Sequence, residues 1–96
     1  MLQSAIQKVI FGQAEININF FPNPTSGVLN IEMPDFIGQS GRVTVLNQLS
    51  QSMMHFDLNS IEKLTQLDLN NLADGVYFIR VEVGEVEVVE KVFLRR

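Results

Sequence analysis

The residues that this sequence lacks limit its chemistry. The 96 residues include no cysteine and no tryptophan, and His55 is the only histidine. Without cysteine the chain has neither a disulfide framework nor a thiolate metal site, and one histidine cannot form a histidine pair or a facial triad. No serine lies in a Gly-x-Ser-x-Gly elbow. We therefore expect no catalysis, no cofactor and no metal, with His55 as an ordinary strand residue.

Excess positive charge and long apolar runs are also missing. Seven basic and eleven acidic side chains give a net charge of -4, and no basic stripe alternates with aromatic residues. Nucleic acid is therefore not an expected partner. No apolar run approaches the roughly 18 residues that span a bilayer, so no transmembrane segment is predicted. The first residues show no clear cleavage site of an export signal, so we expect any such signal on a longer precursor.

The composition that remains is typical of a small globular domain. Hydrophobic residues make up 46% of the chain and charged residues 19%, which is the balance of a folded protein. We predict one domain over residues 16–96 and interpret residues 1–15 as a linker or a remnant of an upstream region. Leu2 and Ile6 lie near helical spacing, whereas Ile6, Val9 and Ile10 also fit a strand, so both alternatives stay open for that segment.

Seven short runs of alternating apolar and polar residues predict strands. Strands of this length, separated by turn residues, predict an all-β fold, an antiparallel Ig-like sandwich with Greek-key connections. Gly84 and Glu85 form a two-residue hairpin turn between the last two runs. Alternation breaks at Val89, which indicates either a bulge or burial on both faces. The seven runs cover residues 15–21, 28–33, 42–47, 52–58, 65–69, 75–83 and 85–95.

Two groups of residues are candidates for ligand binding, and each has a simpler interpretation. The glutamates of the last hairpin could form a cation site or an acid/base pair, but Glu85 and Glu87 alternate with valines, which places these two on a solvent face where charge discourages edge pairing. The segment "DLNNLADG" lacks the closing glutamate of a calcium loop, so its Asx residues are interpreted as turn formers. The aromatic rings could bind sugars only if two lay side by side on a solvent face; the core needs most of them. These residues are Glu82, Glu85, Glu87 and Glu90, and Phe20, Phe21, Phe36, Phe56, Tyr77, Phe78 and Phe93.

The segment "NNLADGVY" predicts a tyrosine corner. In such a corner the Tyr77 hydroxyl bonds to backbone a few residues upstream. Leu72 would then close one end of the core.

The order of the turn motifs is more particular than the fold. The chain contains "FPNPTSG", then "VLNIE", "VTVLNQLSQSM", "LDLNNLADGVYFIRV" and finally "EKVFLRR". Over residues 20–96 this series resembles the C-terminal sorting domain of type IX (Por) secretion cargo, type A. The resemblance implies a non-catalytic signal at the end of a larger exported protein, which passes through the periplasm to the outer-membrane surface or the medium. It also implies three partners: a covalently linked N-terminal cargo, the translocon or a shuttle protein, and a sortase-like cysteine protease that removes the domain and attaches the cargo to the surface.

The resemblance assigns roles to particular residues. Pro24 sets its own backbone angle for a turn, Asn23 can accept a bond from backbone two residues on, and Gly27 tolerates a positive φ. Charges at the end of a chain stay accessible, so we expect the basic end to be recognised by the partner. The architectural residues are Pro22, Asn23, Pro24, Gly27, Gly75 and Tyr77, and the expected recognition residues are Lys91, Arg95 and Arg96.

The chain departs from the family pattern at one turn, and the fold allows two alternative functions. Ser50 stands where the family usually has glycine in an "N-x-L-G-Q" turn, at a cost if that position needs a positive φ. The same fold could instead serve as an adhesive or carbohydrate-binding module. It could also be a structural module that spaces or dimerises its neighbours through an exposed edge strand.

Overall fold

A computed structural model gives the structure of residues 5–11 and 14–96 of the protein. The described residues form eight strands and one 3₁₀ turn over Pro34–Phe36. In this part of the chain no helix has the length and apolar character needed to cross a membrane. The strands are β1 (Ala5–Phe11), β2 (Ala14–Phe21), β3 (Val28–Glu32), β4 (Gly41–Leu46), β5 (Ser52–Leu58), β6 (Leu64–Asp68), β7 (Gly75–Val83) and β8 (Val86–Leu94).

The strands form two four-stranded sheets. The first has the order β1-β2-β3-β6 and the second β5-β4-β7-β8, and every pair of neighbouring strands is antiparallel. The predicted antiparallel sandwich is therefore confirmed, and the seven predicted runs correspond to β2 through β8.

The core lies between the inner faces of the two sheets. In β7 the alternate residues Tyr77, Ile79, Val81 and Val83 are buried, as the period of two predicts. The fully buried core side chains include Ile18, Phe20, Leu29, Ile31, Met33, Val43, Val45, Leu69, Ile79 and Val92.

The last hairpin pairs as predicted, but the prediction for Val89 was wrong. Gly84 has a φ of 58° and takes the first central position of the turn between Val83 and Val86. This position of a two-residue turn favours glycine. The β7–β8 register runs without a shift, and Val89 is 45% exposed. There is neither a bulge nor burial on both faces, because the half-buried Glu90 takes the inner position.

The N-terminal segment contains strand β1, one of the two alternatives that the sequence left open. Its backbone pairs with β2 from Ala5 opposite Phe20 to Phe11 opposite Ala14. Residues 1–4 and 12–13 of the expected linker lie outside the described residues. The domain boundary at residue 16 stays a prediction.

The turn between β4 and β5 contains a serine with a left-handed backbone. Ser50 has a φ of 63°, so the position does require the conformation that glycine adopts most easily. Asn47 supports the turn, because its side-chain oxygen accepts bonds from the backbone N–H groups of Leu49 at 2.9 Å and Gln51 at 3.0 Å.

Candidate functional site

The segment of residues 21–27 is more than a turn, because it lies along the outer edge of β8. The side-chain amide of Asn23 donates to the carbonyl oxygen of Lys91 at 2.9 Å and accepts from the backbone N–H of Phe93 at 3.0 Å. The predicted local bond of Asn23 was therefore wrong. Its amide bonds to the edge of β8 as a neighbouring strand would.

Thr25 continues this edge contact, a role that no sequence motif predicted. Its backbone N–H donates to the carbonyl of Phe93 at 2.8 Å, and its carbonyl accepts from the N–H of Arg95 at 2.9 Å. Its buried hydroxyl donates to the carbonyl of Val28 at 2.5 Å and accepts from the N–H of Gly27 at 3.1 Å. Thr25 thus forms a parallel bridge to the end of β8 while fixing its own loop.

Gly27 has a backbone conformation and a close neighbour that both favour glycine. Its φ is 153°, and a Cβ there would collide with the side-chain amide of Asn70. Its carbonyl accepts from the N–H of Leu69 at 2.7 Å, which joins the loop to the segment after β6. Pro22 is half-buried and Pro24 exposed.

The predicted tyrosine corner is present at the start of β7. The Tyr77 hydroxyl donates to the carbonyl oxygen of Ala73 at 2.6 Å, and Leu72 packs partly buried against the core. Gly75 opens β7 beside this corner, opposite Leu94 of β8. The corner therefore fixes the loop that lies next to the end of the chain.

The three basic residues of the chain end differ in their contacts. The Arg96 guanidinium donates to Asp74 Oδ1 at 2.8 Å and to the carbonyl of Leu69 at 3.0 Å, and its backbone N–H donates to Asp74 Oδ2 at 3.1 Å. Lys91 is exposed, with its ammonium 5.4 Å from the centre of the Phe93 ring. Arg95 is exposed and forms no ion pair within the described residues.

The three motifs meet at one open groove of about 730 Å³, which we call the terminal groove. The turn motif supplies two lining residues, the loop before the tyrosine corner and the start of β7 supply three, and the chain end supplies three. Antiparallel pairing of β7 with β8 and the contact of residues 23–25 with the edge of β8 bring together motifs that lie apart in the sequence. The lining residues are Asn23, Pro24, Asp74, Gly75, Val76, Phe93, Leu94 and Arg95.

The terminal groove contains a carboxylate held by hydrogen bonds, Asp74, and an exposed cation, Arg95. Hydrogen bonding from the Arg96 backbone and side chain lowers the pKa of Asp74 below its ordinary value of 3.8, with a smaller contribution from the charge of Arg95. Asp74 is thus ionised at neutral pH and engaged by Arg96.

The other candidate residues lie elsewhere. Within residues 16–96 no group of three potential ligands among histidine and the carboxylates could hold a metal ion. His55 is exposed in β5, opposite Thr44. Glu85 and Glu87 are exposed as predicted, and Glu82 is half-buried. Among the aromatic rings of residues 16–96, only Phe93 is exposed, at 45%.

Comparison with known proteins supplies one positive finding. The family model described as "Secretion system C-terminal sorting domain" matches residues 19–95. No match is found among the curated proteins. The matched residues contain all three motifs of the terminal groove except Arg96.

Proposed function

Because the chain belongs to the secretion system C-terminal sorting domain family, we propose that the terminal groove is the surface by which the secretion system recognises it. The domain is a C-terminal sorting signal for type IX secretion, and it directs a cargo attached to its N-terminus across the outer membrane to the surface or the medium. The sorting domain spans residues 16–96, and residues 1–15 connect it to the cargo.

Within this proposal the partners have separate tasks. The translocon or a shuttle protein binds the folded sandwich in the periplasm, and a sortase-like cysteine protease then removes the domain and attaches the cargo to the surface. The domain itself performs no chemistry and acts only through binding.

A single observation supports the terminal groove as the recognition surface: three motifs far apart in the sequence line it together. Arg95 is exposed and lines the groove, and the exposed Lys91 has its ammonium 5.4 Å from the centre of the ring of Phe93, another lining residue. Arg96 is bound to Asp74 and to the carbonyl of Leu69. Its task in the proposal is to hold the chain end in place, while Lys91 and Arg95 contact the partner.

The test is a secretion assay with the full 96-residue chain fused behind a periplasmic reporter in a host with the type IX machinery. We expect the double variant Lys91→Glu and Arg95→Glu to lower surface delivery on the order of tenfold, since each exposed ion pair contributes up to about 1 kcal/mol. The matched control is Lys63→Glu, an exposed cation in the loop before β6. Equal delivery by all three chains would refute recognition at the terminal groove.

The adhesive or carbohydrate-binding alternative has less support. The family match favours a sorting signal. A sugar platform needs two neighbouring exposed rings, whereas among the rings of residues 16–96 Phe78 is half-buried and only Phe93 is exposed.

A further inference from the structure

The outer face of the chain end carries a regular pattern of side chains. Val92 and Leu94 are buried, so Lys91, Phe93 and Arg95 point to the opposite side, toward solvent. In an extended chain the Cα atoms of Lys91 and Arg95 are about 13 Å apart, with Phe93 midway. This face therefore presents a cation, an aromatic ring and a second cation at every second residue.

The two cations are available for a partner. In the described part of the chain, ion pairs occupy Arg42, Arg80 and Arg96 but neither Lys91 nor Arg95. Asp74, in the loop just before β7, is already engaged by Arg96. Lys91 lies against the Phe93 ring, with its ammonium 5.4 Å from the ring centre, and remains exposed. The chain as a whole carries a charge of -4, so these two exposed cations favour a partner that carries carboxylates.

Apolar surface lies between and beside the cations. Phe93 and Val89 are each 45% exposed on the outer face of β8. Val76 lies opposite Phe93, and Phe78 lies opposite Lys91, both half-buried. A partner side chain that covers Phe93 would therefore bury apolar surface on both strands.

The backbone edge of β8 excludes one mode of binding. Asn23 and Thr25 already form hydrogen bonds with the backbone groups at this edge, the carbonyls of Lys91 and Phe93 and the N–H groups of Phe93 and Arg95. A partner cannot add a strand along this stretch, which is the usual way of binding at a sheet edge. It must contact the side chains on the outer face.

We propose that this face binds an extended acidic segment of a secretion-system protein, with two carboxylates four residues apart and an apolar side chain midway. The carboxylates pair with Lys91 and Arg95, and the apolar side chain covers Phe93. The inference rests on the proposed function and names the chemistry of the partner. Because the pattern is the same in both directions, either orientation of the segment satisfies it.

The test uses the full chain, labelled with ¹⁵N, and three probes followed by NMR. The first probe is a peptide with two glutamates four positions apart and a leucine midway. The second has the same composition with the glutamates adjacent, and the third is vesicles that contain anionic lipid. We expect the first peptide to shift the amides of residues 91–95 and Val76, and to bind several-fold more tightly than the second.

Variants then separate the contacts. Lys91→Glu and Arg95→Glu should each weaken the first peptide about fivefold, and Lys63→Glu should leave it unchanged. Retained amide dispersion shows that each variant is folded. Equal binding of both peptides, or binding of the vesicles alone, would overturn the proposal. If the peptides fail while Lys91 and Arg95 still govern secretion, the proposed function stands and only the acidic partner is wrong.

Discussion

Replacing Asn23 with alanine removes both hydrogen bonds between its side chain and the edge of β8. These bonds join Nδ2 to the carbonyl oxygen of Lys91 at 2.9 Å and Oδ1 to the N–H of Phe93 at 3.0 Å. A net hydrogen bond contributes about 0.5 to 1.5 kcal/mol, and Asn23 is half-buried, so water replaces part of the loss. We expect the free energy of unfolding to fall by about 1 to 2 kcal/mol and Tm by roughly 5 to 10 °C.

Urea unfolding gives the free energy, and hydrogen exchange locates the loss. The Phe93 amide should exchange faster in the variant, while amides bonded within the β7–β8 ladder keep their protection. The matched control is Asn30→Ala, which removes a single side-chain bond from Gln66 at 3.0 Å on the other sheet. Equal destabilisation by both substitutions, with unchanged exchange of Phe93, would refute the role of Asn23 as an edge clamp.

Three further predictions concern the supports of the terminal groove and the β4–β5 turn. Ser50→Gly should raise the free energy of unfolding, measured with urea, by about 0.5 to 1 kcal/mol, because φ is 63° at this position. The control Ser52→Gly in β5 should lower it. A lower free energy of unfolding in Ser50→Gly would contradict the prediction. Tyr77→Phe removes a bond of 2.6 Å and should cost about 1 to 2 kcal/mol of unfolding free energy; an unchanged Tm would argue against the corner. The pKa of Asp74 is lower in the folded chain than its ordinary value of 3.8. Ionised Asp74 therefore stabilises the fold above pH 3.8, and this contribution to the free energy of unfolding is lost as the pH falls through the pKa of the folded state. The chemical shift of the Arg96 amide should therefore change with pH in a step below pH 3.8, and this step should be absent from the variant Asp74→Asn.

Local patterns predicted the parts of the fold that depend on neighbouring residues. Seven strands followed from alternation, since an inner face of β7 or β8 needs an apolar residue at every second position. The hairpin at Gly84 and the bond of Tyr77 to Ala73 span few residues, so local turn chemistry sufficed. The expectation for Ser50, whose φ is 63°, came from the family resemblance, because the family usually has glycine at this turn position.

Contacts between distant residues were beyond these patterns. The partners of Asn23 are 68 and 70 residues away. Because asparagine is common in turns, its sequence context predicted a local bond and not the bonds to β8. The pair of Arg96 with Asp74 spans 22 residues and depends on the β7–β8 register. The exposure of Val89 was not predictable from the alternation, because valine occurs at both buried and exposed positions of a strand and the packing of each face decides which it is.

Photo-crosslinking in secreting cells tests the central claim most directly. Phe93 is replaced by benzoylphenylalanine at the terminal groove, and Leu64, with a nearly equal exposure of 44% on β6, serves as the matched position. If the terminal groove is the recognition surface, position 93 should crosslink to a protein of the secretion system while position 64 does not. Crosslinks from position 64 and none from position 93, in a chain that still reaches the surface, would contradict it.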